Sequence, residues 1–382
     1  MGIASEGRAG SGLRGGEKKP PDVTNRIQSV DALRGLIMIV MALDHTRDFF
    51  HAAAMQFQPE DLARTTAAIF FTRWITHFCA PVFMFTAGMG AFFWLRKHTK
   101  KELSAFLWKR GLWLVVLDVT VVRFAMTWGQ GPLLINVLWG LGWAMIVLAL
   151  LIHLPLRVLA VFSVAVIALH NLADGVSLPG LHQLGVFQIH GGMVVISYTL
   201  IPWFAVMAAG FCFGEIFTKH KSWMPAIGLS LTAAFFIIRG INIYGDPAPW
   251  SGGVLSFLRV NKYPPSLDFL LMTLGPAIVL LSLLDKIQLR PKNPLLIFGR
   301  VPLFYFLVHL YVIHLLAVVL TWIRYGKLVP VNPLLSIFPE GYGYSLGMTY
   351  LIWIGIVALL YPLCVWFAGL KQRRDDWWLR YL

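Results

Sequence analysis

Asp31-Ala32-Leu33-Arg34-Gly35, then Leu36-Ile37-Met38-Ile39-Val40-Met41-Ala42-Leu43, then Asp44-His45-Thr46-Arg47-Asp48-Phe49-Phe50-His51: ionisable groups close off both ends of an unbroken apolar run. A helix rises about 1.5 Å per residue, so roughly 20 residues of this kind cross a hydrocarbon core of about 30 Å. Ionisable groups at membrane depth are costly, and those that persist face a bundle interior or a wet cavity. The stretch therefore reads as a transmembrane helix whose chemistry lies on its inward face.

The remainder of the 382 residues repeats the apolar part of this pattern. Hydrophobic residues make up 58% and charged ones 13%, against about a quarter charged in soluble domains. Mean hydropathy is +0.69. Apolar spans are expected near 32–51, 68–95, 105–127, 132–153, 155–172, 195–217, 223–243, 266–285, 294–323 and 345–370. They predict an all-α fold, a polytopic transmembrane helix bundle of about ten spans (nine to eleven). A membrane β-barrel would show short alternating segments, and none is visible.

Residues 1–25 are rich in Gly, Ser, Lys and Arg with no apolar core, and are expected to form a disordered cytoplasmic tail. Residues 26–382 then form one membrane domain, without an internal repeat or a composition shift. Cys79, Cys212 and Cys364 stand apart inside apolar segments, so neither disulfides nor a metal site is expected. The glycines near 87–90 and 210–214 read as small residues at helix–helix contacts. In the ninth span, Gly299-Arg300-Val301-Pro302 predicts a break.

A net charge of +14 raises the question of nucleic acid. The basic residues instead sit in the tail and in alternate loops, as at Arg96, Lys97, Lys100, Lys101, Lys286, Arg290, Lys371 and Arg373. The opposite loops hold few, namely Arg64, Arg259, Lys262, Arg324 and Lys327. This is the positive-inside pattern, with both termini cytoplasmic, and it needs no nucleic-acid partner.

Arg34 and His45 are eleven positions apart, about three turns plus 20°, so they share one helix face about 16 Å apart along the axis. Asp48, one turn beyond His45, is placed to orient the imidazole as a base, and His51 is a second candidate base. Asp44, Arg73 and His77 fall near the same end, with Arg73 expected to pair with Asp44 or Asp48. Lys262 and Tyr263, before the proline pair that opens the eighth span, are candidates for acceptor binding, and Arg300 for phosphate. Structural explanations stand beside these: Arg34 as an interfacial anchor, His45 as a polar residue packed between helices, His51 as a solvated histidine at the water boundary, and Asp48 as an ion pair with Arg47 or Arg73. Asp118, Arg123, His309 and His314 read as partners between helices. GxxxxGK[ST], GxSxG and HExxH are all absent, which removes support for P-loop, nucleophile-elbow and zincin chemistry.

Ser29-Val30-Asp31-Ala32-Leu33-Arg34-Gly35, with the span ending in Asp44-His45, resembles the bacterial relatives of heparan-α-glucosaminide N-acetyltransferase. Thr72-Arg73 through Phe83, Lys262-Tyr263-Pro264-Pro265-Ser266-Leu267, Gly299-Arg300-Val301-Pro302-Leu303 and Tyr361-Pro362 through Trp378 extend the similarity from about Arg26 to the carboxyl end. The resemblance implies transfer of an acyl group, commonly acetyl from acetyl-CoA, across a bacterial inner membrane to a sugar or glycan hydroxyl or amine. It also matches the Arg, ten residues, His spacing with which the wider group of membrane acyltransferases begins. Acyl-CoA phosphates would lie near Arg34 and Arg300, and His45 would act as general base or become acylated. One departure bears on the base: the heparan enzyme has Asn where His45 stands and its histidine nearer His51. Membrane lipids are the expected surroundings, and a homodimer is one arrangement left open. The competing expectation is a transporter or flippase of a polar or lipid-linked solute.

Overall fold

The computed structural model describes residues 27–189, 191–328, 331–374 and 376–382. The expected disordered tail, residues 1–25, lies outside the described residues. The chain is mainly helical: α1 (Gln28–Phe50), α2 (Ala67–Thr76), α3 (Cys79–Leu95), α4 (Lys100–Leu117), α5 (Arg123–Thr127), α6 (Val137–Leu151) and α7 (Leu156–Leu169) form its first half. The second half holds α8 (Trp203–Lys219), α9 (Met224–Ile241), α10 (Val254–Leu258), α11 (Leu267–Leu284), α12 (Pro294–Arg300), α13 (Pro302–Tyr325) and α14 (Leu346–Arg373).

Six segments are long and apolar enough to cross a membrane: 67–95, 156–173, 221–241, 267–284, 302–325 and 346–373. With family-independent composition pointing the same way, this is an integral membrane protein. Ten spans were expected. The shortfall is physical: α6 and α8 are only 15 and 17 residues long, and α1 and α4 carry charged side chains.

Strict all-α is also corrected by a small sheet. β1 (Leu133–Ile135) runs parallel to β3 (Gly192–Ile196), and β2 (Gly185–Ile189) pairs antiparallel to β3. The loop expected over 173–194 thus contains a hairpin, in which β-branched and aromatic residues flank the turn at Gly191. Gly191 has φ +75°, a conformation that glycine adopts without strain.

Local signals explain the helix ends. Thr66, Ser266 and Ser345 accept hydrogen bonds from Ile69, Phe269 and Met348 amides, and Thr99 with Glu102 forms a capping box. The break expected near Gly299–Pro302 occurs between α12 and α13.

Small residues set the closest approaches. A Cβ at Gly88 would collide with the Met207 backbone, and one at Gly210 with Phe85, so α3 and α8 cross backbone to backbone. Gly35 and Gly299 do the same for α1 and α12. As a result α1 is enclosed by α2, α3, α11, α12, α13 and α14, and its polar side chains meet protein on most sides.

Candidate active site

Two cavities meet along α1. The first, about 420 Å³, lies at the Arg34 end and is lined by Arg34, Arg110, Met38, Trp94, Phe106 and neighbouring aliphatic side chains. The second, about 330 Å³, lies at the His45 end, with Asp44, His45, Arg47, Asp48, Arg73, Asn136, Tyr198, Lys262 and Tyr263 in its wall. Met41, Phe83, Val137 and Phe306 line both. These four come from α1, α3, α6 and α13, and they form an apolar collar between the two spaces. Arg34 and His45 therefore open into adjacent cavities, as their shared helix face predicts.

The His45 end is a network of charges. Arg73 donates from Nη1 to Asp44 Oδ1 and Oδ2 at 2.8 and 2.6 Å, and from Nε to Glu60 Oε1 at 3.1 Å. His77 Nε2 lies 3.3 Å from the same Glu60 oxygen. Arg47 Nη2 reaches Asp48 Oδ1 at 2.5 Å and Asp44 Oδ1 at 3.2 Å. Of the two partners expected for Arg73, the structure selects Asp44. Burial alone would raise the Glu60 carboxyl, but the His77 hydrogen bond and the Arg73 charge outweigh it and hold Glu60 well below the usual range.

Several expected positions move. Asp48 makes no hydrogen bond to His45, because the Arg47 guanidinium takes its carboxylate. His45 packs against the His309 ring instead, with centroids 5.2 Å apart and planes tilted by 49°. His309 Nδ1–H donates to Tyr305 O at 3.0 Å, which leaves its buried Nε2 unpaired. His51 is buried outside both cavity walls, where its backbone bridges to Tyr344. His77 is likewise not in the wall and lies against Glu60. Arg300 donates to Pro291 O at 3.1 Å and does not line the Arg34 cavity, where Arg110 stands with Arg34. His314, expected between helices, is found there, with Nδ1–H donating to Ala125 O at 2.7 Å.

Lys262 and Tyr263 reach the second cavity on a turn held from several directions. Asp246 accepts from the Asn261 amide and from Ser266 Oγ, both at 2.7 Å. The Leu267 amide donates to Asn171 Oδ1 at 2.8 Å, and His170 Nε2 lies 2.8 Å from Pro265 O. Behind the turn, the buried Arg239 guanidinium donates to the carbonyls of Ala248, Ser256, Phe257 and Arg259. Asp118 begins a turn of π-helix and accepts the Asn136 amide at 2.6 Å, which places Asn136 and Val137 at the cavities.

Arg110, His309, Arg239 and Asp246 had not been singled out for these roles. A Lys109-Arg110 pair inside an expected span was a usable signal for the first, by the same depth argument applied to α1. Among the described residues no cluster of His, Cys, Asp and Glu is arranged to hold a metal ion.

The model of the family described as heparan-alpha-glucosaminide N-acetyltransferase, catalytic, matches residues 26–248, more than half of the chain. That region carries Arg34, His45, Arg73 and Arg110, and it ends before Lys262 and Arg300. No curated protein matches the chain.

Proposed function

We propose, from the premise that this chain belongs to the heparan-alpha-glucosaminide N-acetyltransferase family and is thereby a membrane acyltransferase, that it moves an acetyl group from acetyl-CoA at the Arg34 end to a sugar at the His45 end. The observation that carries the reading is the pair of cavities joined at an apolar collar, with a cation in one and an imidazole in the other.

Arg34 and Arg110 supply positive charge for the CoA phosphates, and the mouth they line is the cytoplasmic one by the distribution of basic loops. The thin pantetheine arm passes between Met41, Phe83, Val137 and Phe306, whose side chains yield without exposing any polar group to hydrocarbon. Beyond the collar the thioester meets His45. An acceptor hydroxyl or amine gives its proton to the imidazole as it attacks the carbonyl, while Lys262, Tyr263 and the Asp44–Arg73 pair shape the acceptor space. An acyl-histidine intermediate uses the same placement. Adding α1, α4, α6 and α8 to the six apolar segments brings the crossings to about ten. The membrane is then an inner membrane, with both termini cytoplasmic.

His45→Ala in purified protein is expected to lower acetyl-CoA turnover about 10²- to 10⁴-fold, while His51→Ala stays within a few-fold of the parent. Full activity in both variants removes the proposed base. Loss in His51→Ala alone transfers the role to His51.

A further inference from the structure

The carboxylates at the His45 end are all committed. Asp44 and Glu60 are bound by Arg73, and Asp48 by Arg47. The cations are not committed to the same degree. Arg47, with its side chain 5% exposed, uses Nη2 for Asp44 and Asp48, whereas Nε and Nη1 are buried with no hydrogen-bond partner. Lys262 is buried in the wall of the same cavity, its Nζ 5.2 Å from the Tyr263 ring centroid. Among the described residues it has no carboxylate within 4.0 Å and no side-chain hydrogen bond. A cation in a cavity wall with no carboxylate of its own, beside a proposed base, indicates a guest that carries negative charge.

Acyl transfer generates such a guest on every turnover. We propose that Lys262, with the Arg47 charge beside it, receives the oxyanion of the tetrahedral intermediate in the second cavity. The proposal rests on the acyltransferase reading of that cavity. As the acceptor oxygen or nitrogen bonds to the thioester carbon, the carbonyl π pair moves onto oxygen and the acceptor proton passes to His45. When the oxyanion pair returns to re-form the carbonyl, the C–S bond breaks, and the leaving CoA thiolate takes the proton from the imidazolium. The net change is acylated acceptor plus CoA thiol. Preorganised donors near the carbonyl oxygen lower the barrier because they bind the charge that appears only in the transition state. The committed carboxylates matter equally, since a free carboxylate in this wall would repel the oxyanion.

The test uses the full chain in detergent or nanodiscs, with acetyl-CoA as donor, D-glucosamine or water as acceptor, and CoA thiol release as readout. Lys262→Met is expected to lower kcat about 10²- to 10³-fold, with KM for each substrate within about three-fold of the parent. Lys262→Arg, which keeps the charge, recovers part of the loss. An unchanged dissociation constant for acetyl-CoA in Lys262→Met establishes that the fold and donor site are intact, and Arg47→Lys repeats the kinetic measurement from α1. Unchanged kcat with a raised KM for glucosamine overturns the proposal and makes Lys262 an acceptor anchor. Unchanged kinetics throughout overturns it as well. Failure of the parent protein to turn over acetyl-CoA with either acceptor has a different meaning: the acyltransferase reading falls, and this inference with it.

Discussion

The two cavities along α1 are built by opposite means. At the Arg34 end the wall is aliphatic and aromatic, and among the described residues Arg34 and Arg110 bring the charge to it. At the His45 end Asp44, Arg47, Asp48, Arg73 and Lys262 crowd one space of similar size. The contrast separates two tasks within a single bundle. An apolar sleeve holds a flexible arm by shape and keeps water out, whereas a wall of paired charges fixes donors in place before the reaction begins. It also gives the second region a source of stability in mutual neutralisation.

Removing one partner from the charged end tests that separation with the largest expected effect. Arg73→Ala leaves Asp44 to Arg47 alone and Glu60 to His77 alone, and loss of one member of a buried ion pair typically costs about 3–5 kcal/mol. The thermal midpoint in detergent is expected to fall accordingly, and an Arg73→Ala protein as stable as the parent breaks the comparison. The opposite end supplies the intermediate case. Arg34→Ala or Arg110→Ala removes a cation from the proposed CoA phosphate site, so the expected signature is a KM for acetyl-CoA raised about tenfold, worth about 1.4 kcal/mol. If Arg34→Ala unfolds the protein as readily as Arg73→Ala, the Arg34 end is held by charge as well.

Much of the first region was legible in the sequence, because helical spacing alone puts Arg34 and His45 on one face. The collisions at Gly88 and Gly210 follow from the small-residue rule, the Ser266 cap from its position after two prolines, and the α12–α13 break from Gly299 and Pro302. The choice among competing partners, and partners supplied by other elements, were harder to read. Asp48 sits one turn from His45, yet it is drawn to the adjacent Arg47, since a guanidinium competes better for a carboxylate than a neutral imidazole does. Arg239 and Asp246 act on a turn 15 to 20 residues away in sequence, and no periodicity encodes that fold-back. His309 meets His45 across two helices, so its role depends on the crossing of α1 and α13 and not on its own neighbours. The small sheet is hard to read because its strands are short: β1 falls at the start of the span expected at 132–153, and β2 and β3 lie around a segment rich in turn residues.

The smallest effect sharpens the comparison through pH. Glu60 lies on the loop between α1 and α2, where His77 and Arg73 hold its carboxyl below its ordinary value of 4.5. A depressed carboxylate contributes stability that is present above the unfolded value and is lost as pH falls through the folded one. Glu60→Gln should therefore differ most from the parent near about pH 6, with the two midpoints converging as pH drops below about 4.5 toward about 3. A constant offset for Glu60→Gln would mean that its hydrogen bonds, and not its charge, tie the loop to Arg73.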